Sequence, residues 1–186
     1  MNRIHPRHLV FPVIFFICIN LAFITSKNSY FINKTPLGRP ESTSIQHHQL
    51  SAFFPASIQE WKHYILQTSE KYSLDPDLIA SVMLQESRGD PQALSNSGAV
   101  GLMQVMPSDG LAVKFLCKNG PCFSDRPTIE ELINPELNID YGARLLLEYI
   151  KNSGALREGL KQYGPLDVGY FYADAVIEIY EKSKFQ

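Results

Sequence analysis

From Ser57 onward the apolar residues recur at helical spacing, segment after segment, and no stretch carries a strand signal. That periodicity restricts the chain to an all-α, mostly helical fold. Residues 57–72 form the first segment, with Ile58, Trp61, Ile65 and Leu66 on one face. Asp75-Pro76 then supplies an N-cap followed by proline at the first helical position, and predicts a helix running to about Ser87. Gly89, Asp90-Pro91 and Ser97-Gly98 make 88–101 a loop, and Met103 to Leu116 is expected to enter another helix. Lys118 to Pro127 is loop again. Thr128 opens a short helix with Glu131 at the capping-box position. An amphipathic helix follows over 136–152, with Ile139, Leu145, Leu146 and Ile150 inward and Gly154 as its stop. Two more helices are expected at about 155–163 and 168–183.

The first 56 residues differ in character. Arg3 and Arg7 precede Leu9–Thr25, a run of 17 residues without a charge. A basic flank followed by an apolar run is the layout of an export signal. The run is long for a cleaved signal and short for a membrane span. Cleavage after Ser26 would place Ile24 where a small residue is wanted, so the reading favours an uncleaved signal anchor with its N-terminus inside. Residues 27–56 are rich in Ser, Thr, Asn, Pro and His and read as a flexible linker. The expected organisation is therefore a signal peptide or anchor over 1–26, a linker over 27–56 and a domain over 57–186. This places the domain outside the cytoplasm, in the cell envelope, either held to the membrane by its N-terminal segment or secreted.

Charge and residue inventory exclude several functions. Residues 51–186 hold twelve Lys and Arg against eighteen acids, which speaks against a nucleic-acid partner. Of five histidines only His63 lies in this region. Neither a zinc cluster nor a Ser-His triad can be assembled from that inventory, so no metal and no cofactor is expected. Cys117 and Cys122 flank Asn119-Gly120-Pro121, and in an exported chain such a pair is expected to be oxidised. Closing so short a loop stabilises by roughly 2 kcal/mol in the entropic model. Free thiols and metal binding are the other readings of the pair.

Glu86 continues the apolar stripe of Leu78, Ile79, Val82 and Met83, four residues after Val82 and three after Met83. A carboxylate there is costly unless it is paired or faces a cleft. Desolvation would raise its pKa toward the neutral range, as a general acid requires. Position alone equally allows a glutamate turned to solvent or bridged to Arg88 or Arg144.

The residues Glu86-Ser87-Arg88-Gly89-Asp90-Pro91 are followed by Ser95-Asn96-Ser97-Gly98-Ala99-Val100-Gly101-Leu102-Met103-Gln104-Val105-Met106-Pro107. Together, in this order and spacing, they resemble the catalytic core of the soluble lytic transglycosylases, relatives of goose-type lysozyme. Leu74 to Ile79, Asn134-Pro135 with Asn138-Ile139 and Gly142, and Tyr172 with Val176 and Tyr180 resemble further segments of that family, so the likeness covers about 70–186. It implies a lysozyme-like domain that cleaves the MurNAc-β-1,4-GlcNAc bond of peptidoglycan. One acid does the work: it protonates the glycosidic oxygen, then takes the proton of the muramyl 6-hydroxyl, leaving a 1,6-anhydro end. Glu86 takes that role by resemblance. Ser87 matches a serine that touches substrate, with a helix-end cap as its plain alternative. Gly101, Leu102, Met103 and Gln104 match the segment lining the glycan cleft, although core packing suits Met103 as well. Tyr172 matches a tyrosine of the last helix and, by that likeness, is expected among the substrate-binding residues. Tyr163 stands for the tyrosine that holds the N-acetyl group. The Ala-Tyr-Asn-Ala-Gly-Pro-like stretch of the family reads Gln162-Tyr163-Gly164-Pro165 here, shorter and without its asparagine.

Two other readings remain. Asp90 could hold a water for lysozyme-like hydrolysis if its loop returned it to the cleft, although Asp-Pro is more often a plain turn. A peptidoglycan-binding module without chemistry would keep the cleft. Oligomeric state has no signal in the sequence.

Overall fold

The computed structural model describes residues 49–185. The expected signal segment over 1–26 and most of the expected linker lie outside the described residues. The packed unit begins before Ser57: Leu50 and Phe54 are buried in the core, and a first short helix, α1, spans Ala56–Gln59. The apolar pair places residues 50–56 on the domain rather than in the linker.

The single helix expected over 57–72 is two. Helix α2 spans Lys62–Tyr72, and the chain turns between it and α1 at Glu60 and Trp61. Ile58 and Ile65 are fully buried, and Trp61 and Leu66 pack half-buried against the same core. Ser73, in the left-handed region, ends α2. Helix α3, Pro76–Ser87, starts where the sequence signals place it, with the Asp75 carboxylate accepting from the Asp77 N–H at 3.0 Å. Leu78, Ile79, Ala80, Val82 and Met83 bury nearly the whole α3 surface, so this helix is the central element of the core.

The segment after α3 departs most from expectation. Residues 103–116 do not enter an α-helix. Val100 makes antiparallel bridges to Leu94 and to Val105, and a 3-10 turn follows only at Gly110–Lys114. Gly98 and Gly101 adopt positive φ, and Gln104 at φ 45° joins them, which breaks helical continuity before Pro107 is reached. Two-residue strands β1, Leu116–Cys117, and β2, Gly120–Pro121, then form a small hairpin closed by the Cys117–Cys122 disulfide. It is the one piece of regular sheet among the described residues, too short for a period-2 pattern to register in sequence.

The capping box forms as expected. Thr128 and Glu131 bond reciprocally around α4, Ile129–Leu132. Helix α5, Pro135–Ser153, is capped by Asn134 and stopped by Gly154 in the left-handed region. Helix α6 spans Leu156–Tyr163, and α7 spans Phe171–Ser183, preceded by a 3-10 turn at Leu166–Val168. Helix α5 packs against α2 and α6, while α3 packs against α7 and α2. Among the described residues no helix is long and apolar enough to cross a membrane.

Candidate active site

Glu86 lies one residue from the C-terminal end of α3, partly buried, where the helix passes under α7. The Tyr172 hydroxyl, from the first turn of α7, donates to Glu86 Oε1 at 2.5 Å. No salt bridge reaches Glu86 among the described residues, and Arg144, one of the expected partners, pairs with Glu148 instead. Burial pushes the Glu86 carboxyl up to about 7, against a downward pull from the Tyr172 hydrogen bond. The negative end of the α3 dipole also disfavours a carboxylate at this position. Glu86 is therefore a carboxylic acid that exchanges its proton near neutrality.

Four residues hold this acid in place. Gly164 lets α7 approach: a Cβ there would come within 2.3 Å of Tyr172 Cγ. Ser87 is a fastener between the helix end and the following turn. Its hydroxyl donates to the Leu102 carbonyl at 2.8 Å and accepts from the Gly89 N–H at 3.1 Å, so the helix-end reading of Ser87 accounts for its bonds. Ser57 from α1 and Trp61 from the start of α2 grip the same turn, through the Arg88 and Gly89 carbonyls respectively.

The 100–104 turn is fastened to the end of α3 through Ser87. The Leu102 and Met103 side chains are fully buried in the core, the packing that the sequence allows for Met103, and offer nothing to a sugar. Their contribution is backbone. The Met103 carbonyl accepts from Tyr163 at 2.8 Å, and the Met103 N–H donates to Asn138 Oδ1 at 2.8 Å. Gly101 is required, since a Cβ there would meet Asn138 Nδ2 at 2.4 Å. Gln104 donates from Nε2 to the Ala93 and Gly101 carbonyls, at 3.1 and 3.0 Å. Burial first and the Glu86 charge second raise the Tyr163 hydroxyl well above its ordinary pKa, so it keeps its proton. The same causes act on Tyr172.

Two features escaped the sequence reading. The Tyr172–Glu86 bond joins positions 86 residues apart, and no local pattern encodes it. Asn138 carries the 100–104 turn from inside α5: its Oδ1 accepts from Met103 and its two amide hydrogens go to the Val100 and Leu132 carbonyls. Its signal was available: an asparagine beside Ile139 on the apolar face of an amphipathic helix must be satisfied by something. Asp90 is exposed and accepts from the Gln92 N–H at 2.8 Å, the plain turn that Asp-Pro suggests. No group of three His, Cys, Asp or Glu side chains converges to hold a metal among the described residues.

A buried acid on a mostly helical scaffold, beside a glycine-rich turn, defines a class that comparison then names. The chain belongs to the transglycosylase SLT domain family, which matches residues 63–164. It is 36% identical over 118 residues to the membrane-bound lytic murein transglycosylase E of Buchnera aphidicola subsp. Acyrthosiphon pisum, covering 63% of this chain and 44% of that protein. It is 32% identical over 124 residues to the membrane-bound lytic murein transglycosylase C of Glaesserella parasuis, covering 64% and 33% respectively. A solved lytic transglycosylase Slt from Pseudomonas aeruginosa is similar at a TM-score of 0.46 and 24% identity, over 71% of this chain and 22% of that one. The chain thus spans less than half the length of these curated relatives.

Proposed function

We propose that the domain cleaves the MurNAc-β-1,4-GlcNAc bond of peptidoglycan as a lytic transglycosylase in the cell envelope, with Glu86 as its one acid/base. The observation that carries this reading is the pairing of Glu86 with Tyr172 at a desolvated helix end. Tyr172 donates to Oε1, which leaves the acid proton on Oε2. Neutral Glu86 gives that proton to the glycosidic oxygen as the bond from muramyl C1 breaks. The carboxylate then receives the proton of the muramyl 6-hydroxyl as its oxygen bonds C1. Glu86 ends protonated again, and no water is consumed.

The other site residues divide by role. Gln104 has its amide N–H groups engaged, leaving Oε1 to accept from a sugar hydroxyl. The Tyr163 ring borders the N-acetyl position, while its hydroxyl proton serves Met103. Leu102 and Met103, fully buried, support the 100–104 turn from behind, and Ser87 fastens it to the end of α3. The export signal over 1–26 would deliver the domain to the wall and hold it at the membrane. Relatives described as membrane-bound support that placement.

The product decides. The full chain, wild type and Glu86→Gln, is incubated with purified peptidoglycan, and the soluble fragments are weighed by mass spectrometry. Anhydromuropeptides from wild type alone are expected. Fragments heavier by one water would replace this reading with lysozyme-like hydrolysis. No fragments from a folded wild type would leave a peptidoglycan-binding module.

A further inference from the structure

The segment between the disulfide hairpin and α4 carries a cation whose placement the proposed reaction does not use. Arg126 is partly buried, and its guanidinium lies over the Phe123 ring, 4.5 Å from the centroid. Nη2 donates to the Tyr149 hydroxyl of α5 at 3.2 Å. The Tyr149 ring meets Tyr163 edge-on, with centroids 6.3 Å apart, and Tyr163 feels the charges of both Glu86 and Arg126. The guanidinium thus stands at the rim of the Glu86 site, one aromatic pair removed from it.

Its backbone is equally fixed. The Arg126 N–H donates to the Phe123 carbonyl at 3.0 Å, and the Pro127 carbonyl accepts from the Ser108 N–H at 3.0 Å. The Cys117–Cys122 bridge ends one residue before Phe123. Yet Arg126 makes no ion pair among the described residues, unlike Arg144 and Arg157, which each hold a carboxylate. The neighbouring Asp125 is exposed and accepts from Ser124. A guanidinium has five N–H donors in a planar fork, and Tyr149 engages one. One face is covered by Phe123, which leaves an edge suited to a bidentate carboxylate.

We propose that Arg126 binds a free carboxylate on the peptide substituent of the glycan, making it a determinant of preference for peptide-bearing over bare strands. The inference rests on the proposed function: the muramyl sugar beside the scissile bond carries the peptide, so an anion-binding edge at the rim of that site meets it. The plain alternative is a clamp, in which Arg126 only ties the hairpin segment to α5 through Tyr149.

The test compares two substrates with the full chain: intact peptidoglycan, and the same glycan stripped of peptides by an amidase. Wild type is expected to show about tenfold higher kcat/KM on the peptide-bearing strands, the effect of one charge-assisted pair. Arg126→Gln should reduce that ratio to about one while leaving the rate on bare glycan within twofold. Tyr149→Phe, which removes the clamp but keeps the charge, should preserve most of the preference. Equal loss on both substrates, or an unchanged ratio in Arg126→Gln, overturns the inference and leaves the clamp. Wild type inactive on both substrates would instead remove the glycan-cleaving reading itself, and this inference with it.

Discussion

Helix α3 meets α7 at both ends, and at each end a tyrosine of α7 donates to a carboxylate. Tyr180 donates to Asp75 Oδ2 at 2.8 Å, and Tyr172 donates to Glu86 Oε1 at 2.5 Å. The two acids are nevertheless tuned in opposite directions. Burial pushes Asp75 up, but the Lys184 ammonium at 2.7 Å, Tyr180 and the Asp77 N–H together bring it below its ordinary value. Glu86 has burial and one tyrosine, and rises to about 7. A phenolic hydrogen bond is common to both ends, so it does not decide the outcome. What decides is the cation and the end of the helix: Asp75 caps the positive end of α3, and Glu86 sits at the negative one. One end is built for holding the fold, the other for exchanging a proton.

The strongest way to break the comparison is Glu86→Gln. Glycan cleavage should fall by about 10²- to 10⁴-fold, the usual contribution of a positioned acid. Stability should change in the other direction. A carboxyl raised from 4.5 to about 7 on folding keeps its proton in the folded state while the unfolded chain loses it. Folding stability therefore declines as pH climbs from about 4.5 through 7. Removing the titration should stabilise the protein by up to about 3 kcal/mol at pH 8 and leave it unchanged at pH 4. Denaturant unfolding at the two pH values measures this.

The next effect in size comes from Asn138→Ala, which removes three buried hydrogen bonds behind the 100–104 turn. A loss of about 2–4 kcal/mol is expected, because the Met103 N–H loses its acceptor and the Leu132 and Val100 carbonyls each lose a donor, Val100 keeping only the Val105 N–H. Thermal unfolding checks it.

The two ends can then be separated by twin substitutions. Tyr172→Phe removes the one hydrogen bond that lowers the Glu86 pKa, so the alkaline limb of the kcat/KM profile should move to higher pH. Tyr180→Phe should leave that profile in place. The smallest effect is expected for Lys184→Met. Asp75 then loses its cation, and because that pair is partly exposed the cost at neutral pH should be about 1 kcal/mol or less. The sign follows from the depressed pKa: the pair's stabilisation is present above the unfolded value of 3.8 and is lost as pH falls through the folded one. Acid unfolding of the variant should be shallower than that of wild type.

These effects also separate what a reader of the sequence could know from what only folding brings together. Asp75-Pro76, the Thr128–Glu131 box and Gly154 act within one helical turn, and the elements they bound appear where expected. Glu86 was legible for a similar reason, since an acid on the apolar face of α3 is a local conflict. The helix expected over 103–116 failed because its residues are governed by distant partners: Asn138 draws the 100–103 backbone into α5, and Val100 bridges two neighbours. Motif position places the backbone of 101–103 at the cleft, and the zero exposure of the Leu102 and Met103 side chains leaves only that backbone for the role. Tyr172 was placed with the substrate, and its hydroxyl is found on Glu86. The functional group was visible in sequence, and the group that orients it was not.

Carbon-13 labelling of the side-chain carboxyls, followed by titration of the full chain with Glu86→Gln for assignment, tests the account most directly. Glu86 should titrate near 7 and Asp75 below 3.8 in the same sample. A Glu86 carboxyl titrating at its ordinary 4.5 would contradict the desolvated acid on which the proposed chemistry depends.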